Sequence, residues 1–314
     1  MRICRIVMLI LFTAFTETDI PAQDLLFTVI ASSGKVLFCG RDTSQWTALT
    51  TGSRIFRGDR IKTTENAYLG LCFKNGRTIE ITKEGLYMAD ELSEKLSAEN
   101  TSVTKKLADF LISEIVTKNK NKDMQYISAV ARQNLTFIDK DFPAFSVITD
   151  SAVTFRWYPA KDVKTYAFRL LSPSSGTVLL KETPDTSVTL NIRELNLEAG
   201  KCYRWYVFNP EDPAVSSDSS CIMTLPRSEM QTIEDSLSEI RNDLSDNGSP
   251  LNQIMIATFY ENNKMNLTAL ECYERAILNT GQIPEFRKKY LLFLIKAGLF
   301  KRAEMLSEKW NIDN

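Results

Sequence analysis

The chain has 314 residues, enough for about two or three domains. Apolar residues make up 44%, charged residues 25%, and the net charge is −1, so no global field draws the protein to nucleic acid or to an anionic membrane surface. There is no histidine, which excludes Ser-His-Asp and Cys-His catalysis and histidine-based metal sites, and leaves any catalysis to carboxylates, lysine or tyrosine.

Residues 1–22 read as a secretory signal. Arg2 and Arg5 give a positive start, and Ile6 to Phe15 is an apolar core too short to span a bilayer. Ile20-Pro21-Ala22 is a cleavage site that leaves Gln23 first, with an uncleaved anchor as the alternative. Cys4 precedes the apolar core and is not placed as a lipoprotein cysteine. No later apolar run approaches the length of a membrane span, so the mature chain is expected not to be membrane-spanning.

From Gly34 to Ile81 the apolar residues alternate: Val36 and Phe38, then Leu69, Leu71 and Phe73, then Ile79 and Ile81. That is the period of strands with one buried face. Asn75-Gly76 supplies the positive φ angles of a tight hairpin, and Gly52, Gly58 and Asp59 mark further turns. The order Gly34-Lys35-Val36, Trp46, Leu49, Gly52, Ile55, Gly58-Asp59, Ile61, Thr63, Ala67, Leu69, Leu71, Phe73, Asn75-Gly76 resembles the FecR-type β domain of bacterial envelope regulators. The resemblance implies a β-rich interaction or sensing module over residues 23–90 in an extracytoplasmic setting. It implies no catalytic site.

Export permits disulfides. Cys39 and Cys72 share strand parity and could pair, as could Cys202 and Cys221; Cys272 is left over. Free buried cysteines are the alternative for each pair. No Cys-x-x-Cys occurs, so zinc ribbons and redox catalysis have no support.

Residues 91–141 read as a helical connector packed on the first β domain. Leu92 and Leu96, then Val103, Leu107, Phe110 or Leu111, and Ile115 recur at three and four, with a break at Asn100-Thr101-Ser102. A second helical or mixed stretch runs from Met124 to Gln133, after the basic run 118–122, which reads as a solvated loop or helix end.

Residues 142–226 carry short strands over Ala152–Trp157, Thr165–Leu170, Thr177–Leu180, Ser187–Leu190, Cys202–Phe208 and Cys221–Leu225, a spacing that indicates a sandwich. Phe155, Trp157, Tyr166, Phe168, Leu170, Leu197, Gly200, Tyr203, Trp205 and Val207 together resemble a fibronectin type III or immunoglobulin-like module, which implies fold but little of function. The alternation makes Trp157 and Trp205 core residues rather than sugar platforms; Trp46 lies between polar neighbours.

Residues 227–314 are helical. Met230, Ile233, Leu237, Ile240 and Leu244 form one stripe. Pro250 and Pro284 are 34 residues apart, as are Ala269 and Ala303, and this period with its small residues resembles tetratricopeptide repeats. Leu291, Ser307 and Trp310 depart from that pattern. Two units fall short of an independent solenoid, so the array is expected to lean on the sandwich or on a partner.

Ser32-x-x-Lys35 and Ser102-x-x-Lys105 match a Ser-Lys spacing, but lack its partner motifs. Glu80, Glu84 and Asp90 could pair as hydrolytic carboxylates, although the parity of Glu80 points it to solvent. The expectation is a multidomain β plus α envelope protein without enzymatic activity or cofactor. It would act as a scaffold on protein partners, with polysaccharide or peptidoglycan as further candidates. The alternatives are a sensing protein of the FecR regulatory type and a carbohydrate-binding or hydrolytic protein.

Overall fold

A hairpin turn at Lys74-Asn75-Gly76-Arg77 shows how the N-terminal half is made. Gly76 sits at φ +97°, and Phe73 and Arg77 close the turn through an N–H···O bond of 2.7 Å. The computed structural model describes residues 24–97, 102–117, 138–149, 151–174, 176–244, 246–280 and 283–311. The expected signal at 1–22, the expected helical or mixed stretch Met124–Gln133 and the basic run 118–122 lie outside them.

Eight strands form two antiparallel sheets: β1 (Leu25–Ser33), β2 (Val36–Cys39), β3 (Thr47–Ala48), β4 (Arg54–Phe56), β5 (Arg60–Thr63), β6 (Tyr68–Phe73), β7 (Thr78–Ile81) and β8 (Gly85–Met88). The orders are β4-β1-β6-β7 and β3-β2-β5-β8. Val29, Val36, Ile55, Ile61, Leu69 and Leu71 belong to one core. The expected alternation holds for Leu69, Leu71 and Phe73, but β6 is buried along its whole length. Tyr68 and Cys72, on its other face, enter a second core shared with helices. The long first strand escapes a period-two reading because its register shifts between Leu25 and Phe27 and again between Val29 and Ala31.

Asp90 is a helix residue whose carboxylate accepts from the Gly58 N–H at 2.7 Å, which ties α1 (Ala89–Glu94) to the turn before β5. Helix α2 (Ser102–Ile112) runs into a π-helical turn, Ser113–Thr117, and its buried stripe is Leu107, Ala108, Leu111 and Ile115.

The second β region is sandwich-like. A two-stranded sheet pairs β10 (Ala152–Arg156) with β13 (Ser187–Asn191). A five-stranded sheet has the order β12 (Gly176–Thr183), β11 (Tyr166–Ser172), β14 (Tyr203–Phe208), β15 (Ser220–Met223), β9 (Phe145–Val147). Strand β9 runs parallel to β15 and is too short to show a period. Phe142, Phe155 and Phe168 surround Trp205, with ring centroids 5.0–5.5 Å from the indole. Both Trp157 and Trp205 are buried.

Five helices complete the chain: α3 (Arg227–Asp243), α4 (Pro250–Asn262), α5 (Asn266–Thr280), α6 (Pro284–Lys296) and α7 (Phe300–Trp310). Pro250 and Pro284 open α4 and α6, where a missing N–H costs nothing. The Ser249 hydroxyl caps α4 by accepting from the Asn252 N–H. Gly298, at φ +77°, ends the α6 turn, and a Cβ there would meet Ala144 Cβ at 2.8 Å. Ala257, Ala269, Ala276 and Ala303 are buried where the helices pack.

The helices lean mainly on the N-terminal sheets rather than on the sandwich. One core joins Ile30, Ala31, Tyr68 and Cys72 of the β4-β1-β6-β7 sheet to α2 and α3–α7, and Val147 is the sandwich strand residue fully buried in it. Each large apolar side chain buried there contributes about 1.5–3 kcal/mol, more than the roughly 1 kcal/mol of a typical hydrogen bond, so apolar contact dominates the seam.

Candidate functional site

Cys202 and Cys221 form a disulfide with Cα atoms 5.7 Å apart, on the residue before β14 and the adjacent strand β15. Cys39 and Cys72 do not pair: each is a free, buried thiol, as is Cys272. Shared parity is no guide here, because Cys39 lies on β2 and Cys72 on β6, strands of different sheets. Cys39 instead donates to the Thr43 carbonyl at 3.1 Å and accepts from Arg60 Nη2 at 3.0 Å. The Cys72 thiol is pushed up to about 12 by burial.

Several of the candidate catalytic groups are engaged elsewhere, and the structure does not bring them together. Ser32 Oγ donates to the Leu49 carbonyl at 3.3 Å, and Lys105 pairs with Asp109 at 3.0 Å. Asp90 serves the Gly58 N–H and Arg57, while Glu84 is exposed. Glu80 is not solvated as its parity suggested. Its Oε1 accepts from the Leu251 N–H at 2.9 Å and from the Tyr68 hydroxyl. The carboxylate thus lies at the first turn of α4, where the helix dipole favours negative charge.

Further polar contacts line the same seam. Thr78 donates to the Asn252 side chain, and Thr51 donates to Glu285 at the start of α6. Thr104 Oγ1 donates to Asp243 Oδ2 at 2.6 Å, and Arg77 pairs with the same carboxylate at 3.6 Å.

Sequence reasoning missed the strongest electrostatic feature. Lys289, 2% exposed, meets Glu114 at 2.5 Å and Glu261 at 2.8 Å. Lys296 meets the same two carboxylates at 2.7 and 3.2 Å, and the Tyr273 hydroxyl donates to Glu261 at 2.7 Å. Two cations and two anions therefore neutralise one another between the π turn, α4 and α6. Burial works to raise the Glu114 pKa, but Lys289 and Lys296 overcome it and hold the group down at about 2. Glu261 is likewise lowered against burial by the same lysines. The available signal was a lysine set among Phe286, Tyr290 and Phe293, inside an apolar stripe.

The faces of α4 and α6 that an open helical array would offer to a partner are therefore covered by the chain itself. α4 is buried on nearly every residue. Exposed large apolar residues remain on the outer sides of the helices, at Phe110, Leu278 and Met305, and at the sheet edges. In the β3-β2-β5-β8 sheet, edge strand β8 carries Leu86 at 61% exposure, and Trp46, next to β3, is 37% exposed with the Arg60 guanidinium 5.8 Å from its ring. In the five-stranded sheet, edge strand β12 carries Leu180 at 50% exposure.

Among the described residues no cluster of metal-binding side chains is found, and no helix is long and apolar enough to cross a membrane. No family model and no curated protein matches the chain.

Proposed function

We propose that the chain is an exported, non-enzymatic adaptor of the bacterial cell envelope. Its parts are a signal at 1–22, a FecR-like head at 23–90, a helical connector at 91–141, a fibronectin- or immunoglobulin-like sandwich at 142–226, and tetratricopeptide-like hairpins at 227–314. The supporting sequence features are the Arg2–Phe15 leader pattern, the ordered motif from Gly34 to Gly76, and the 34-residue spacing of Pro250 and Pro284.

One observation carries the binding role: the inner helical faces are consumed in holding the head, while two edge strands, which can offer unpaired backbone as well as apolar side chains, carry exposed leucines. A free edge offers unpaired backbone groups to an extended segment of another protein. The partner is accordingly a protein that adds a strand, at β8 first, since Leu86 on that edge is more exposed than Leu180 on β12.

The test is capture from envelope fractions with the full mature chain and with Leu86→Lys, an exposed change that leaves the core intact. Loss of a defined protein partner in the variant supports the reading. Binding to isolated polysaccharide or peptidoglycan with no protein partner contradicts it.

A further inference from the structure

Among the described residues, Lys289 is buried and Lys140 partly so, and the fold treats them differently. Lys289 is met by two carboxylates. Lys140 is met by a hydroxyl: its Nζ donates to Ser220 Oγ at 2.6 Å and lies 5.8 Å from the centroid of the Trp205 ring. Among the described residues it makes no ion pair. An ammonium has three N–H donors, and one hydroxyl does not satisfy them. Burial pushes the Lys140 pKa down to about 8, although the Asp218 charge pulls the other way.

Lys140 also lines a cavity of about 270 Å³, closed by the start of the sandwich, the segment before β15 and the α6–α7 turn. Its other charged walls differ in kind. Lys301 and Glu304 pair with each other at 3.2 Å. Asp218 is exposed, and its carboxylate makes no hydrogen bond or ion pair among the described residues. The cavity thus presents an ammonium and a carboxylate that act on each other through space but make no direct ion pair with one another or with another described side chain. With Glu304 neutralised by Lys301, Asp139 and Asp218 add negative charge that disfavours a plain anion, and Lys140 disfavours a plain amine.

We propose that this cavity binds a small zwitterion of the α-amino acid class, with the ligand's carboxylate on Lys140 and its ammonium on Asp218. The volume lies just below the roughly 300 Å³ at which drug-sized pockets begin, which suits a molecule of that size. The site straddles a junction, where the Ala144 N–H donates to the Ala297 carbonyl at 2.7 Å. Occupancy would therefore brace the sandwich against the last hairpin, and would give the adaptor a ligand-sensing role.

Thermal unfolding of the full mature chain tests this, with each common free α-amino acid at millimolar concentration as probe and acetate and methylamine as single-charge controls. One or more amino acids should raise Tm by about 2 °C or more, while neither control does. The rise should vanish in Lys140→Met, which removes a poorly satisfied buried cation and should keep the fold. In Asp218→Asn, a surface change, the affinity should fall about tenfold. The proposal is overturned if no amino acid shifts Tm, if acetate alone gives the same shift, or if either variant, the exposed Asp218→Asn included, responds as the parent does.

Discussion

Lys289 shows what a single residue can decide in this molecule. It is buried between Glu114 and Glu261, and removing one partner from such a group leaves an uncompensated charge, at about 3–5 kcal/mol. Glu114→Gln should lower stability by that order in urea unfolding at neutral pH. The pH dependence follows from the lowered pKa of Glu114, about 2 against an ordinary 4.5. A carboxylate depressed on folding stabilises fully above its ordinary pKa, and that stabilisation is lost as pH falls through the folded value. The gap between parent and Glu114→Gln should thus be constant above about pH 5 and close progressively toward pH 2. Cysteine gives a second residue-scale prediction. Under denaturing, non-reducing conditions the chain, with the proposed leader at 1–22 removed, should titrate three thiols, those of Cys39, Cys72 and Cys272. Five would contradict the Cys202–Cys221 bond, and a fourth would be Cys4, retained with the leader. Replacing both bonded cysteines with alanine should cost about 3 kcal/mol, the value for a loop of this length.

At the scale of elements, the turns are the most legible part of the chain, because their chemistry is local. Asn75-Gly76 announced its hairpin, and Pro250 and Pro284 announced two helix starts. Gly76 and Gly200 both hold positive φ, yet their surroundings differ. A Cβ at Gly76 would lie 2.7 Å from Lys105 Cα, whereas at Gly200 nothing stands within 4 Å. Gly76→Ala should therefore lose about 2 kcal/mol or more and loosen α2, while Gly200→Ala should lose only about 1 kcal/mol. Chemical denaturation of the two variants side by side checks this. Elements that depend on distant neighbours were illegible in proportion. The bulges of β1 break its alternation, β9 has three residues and a parallel partner, and Glu80 looked solvent-facing because nothing in its strand announces that α4 will start beside it. The seam site at Glu114 and Lys289 pairs residues 175 positions apart, beyond the reach of any local pattern.

For the whole molecule, the shared core means that the helical end is not a detachable arm. Deleting residues 250–314 would uncover Ile30, Tyr68 and Cys72 of the N-terminal sheet along with α2. The truncated chain should bind a hydrophobic dye and aggregate, so point variants rather than truncations are the right probe of partner binding. Hydrogen exchange of β6 should track that of α4, since both contribute to the same core.

The adaptor reading is tested most directly by site-specific photo-crosslinking in cells, with a photoreactive residue placed in turn at the exposed positions 86, on β8, and 305, on the outer side of α7. Position 86 should capture one defined envelope protein, and position 305 should not. Capture through 305 with none through 86 would contradict it, placing partner binding on the helices rather than on the edge of the head.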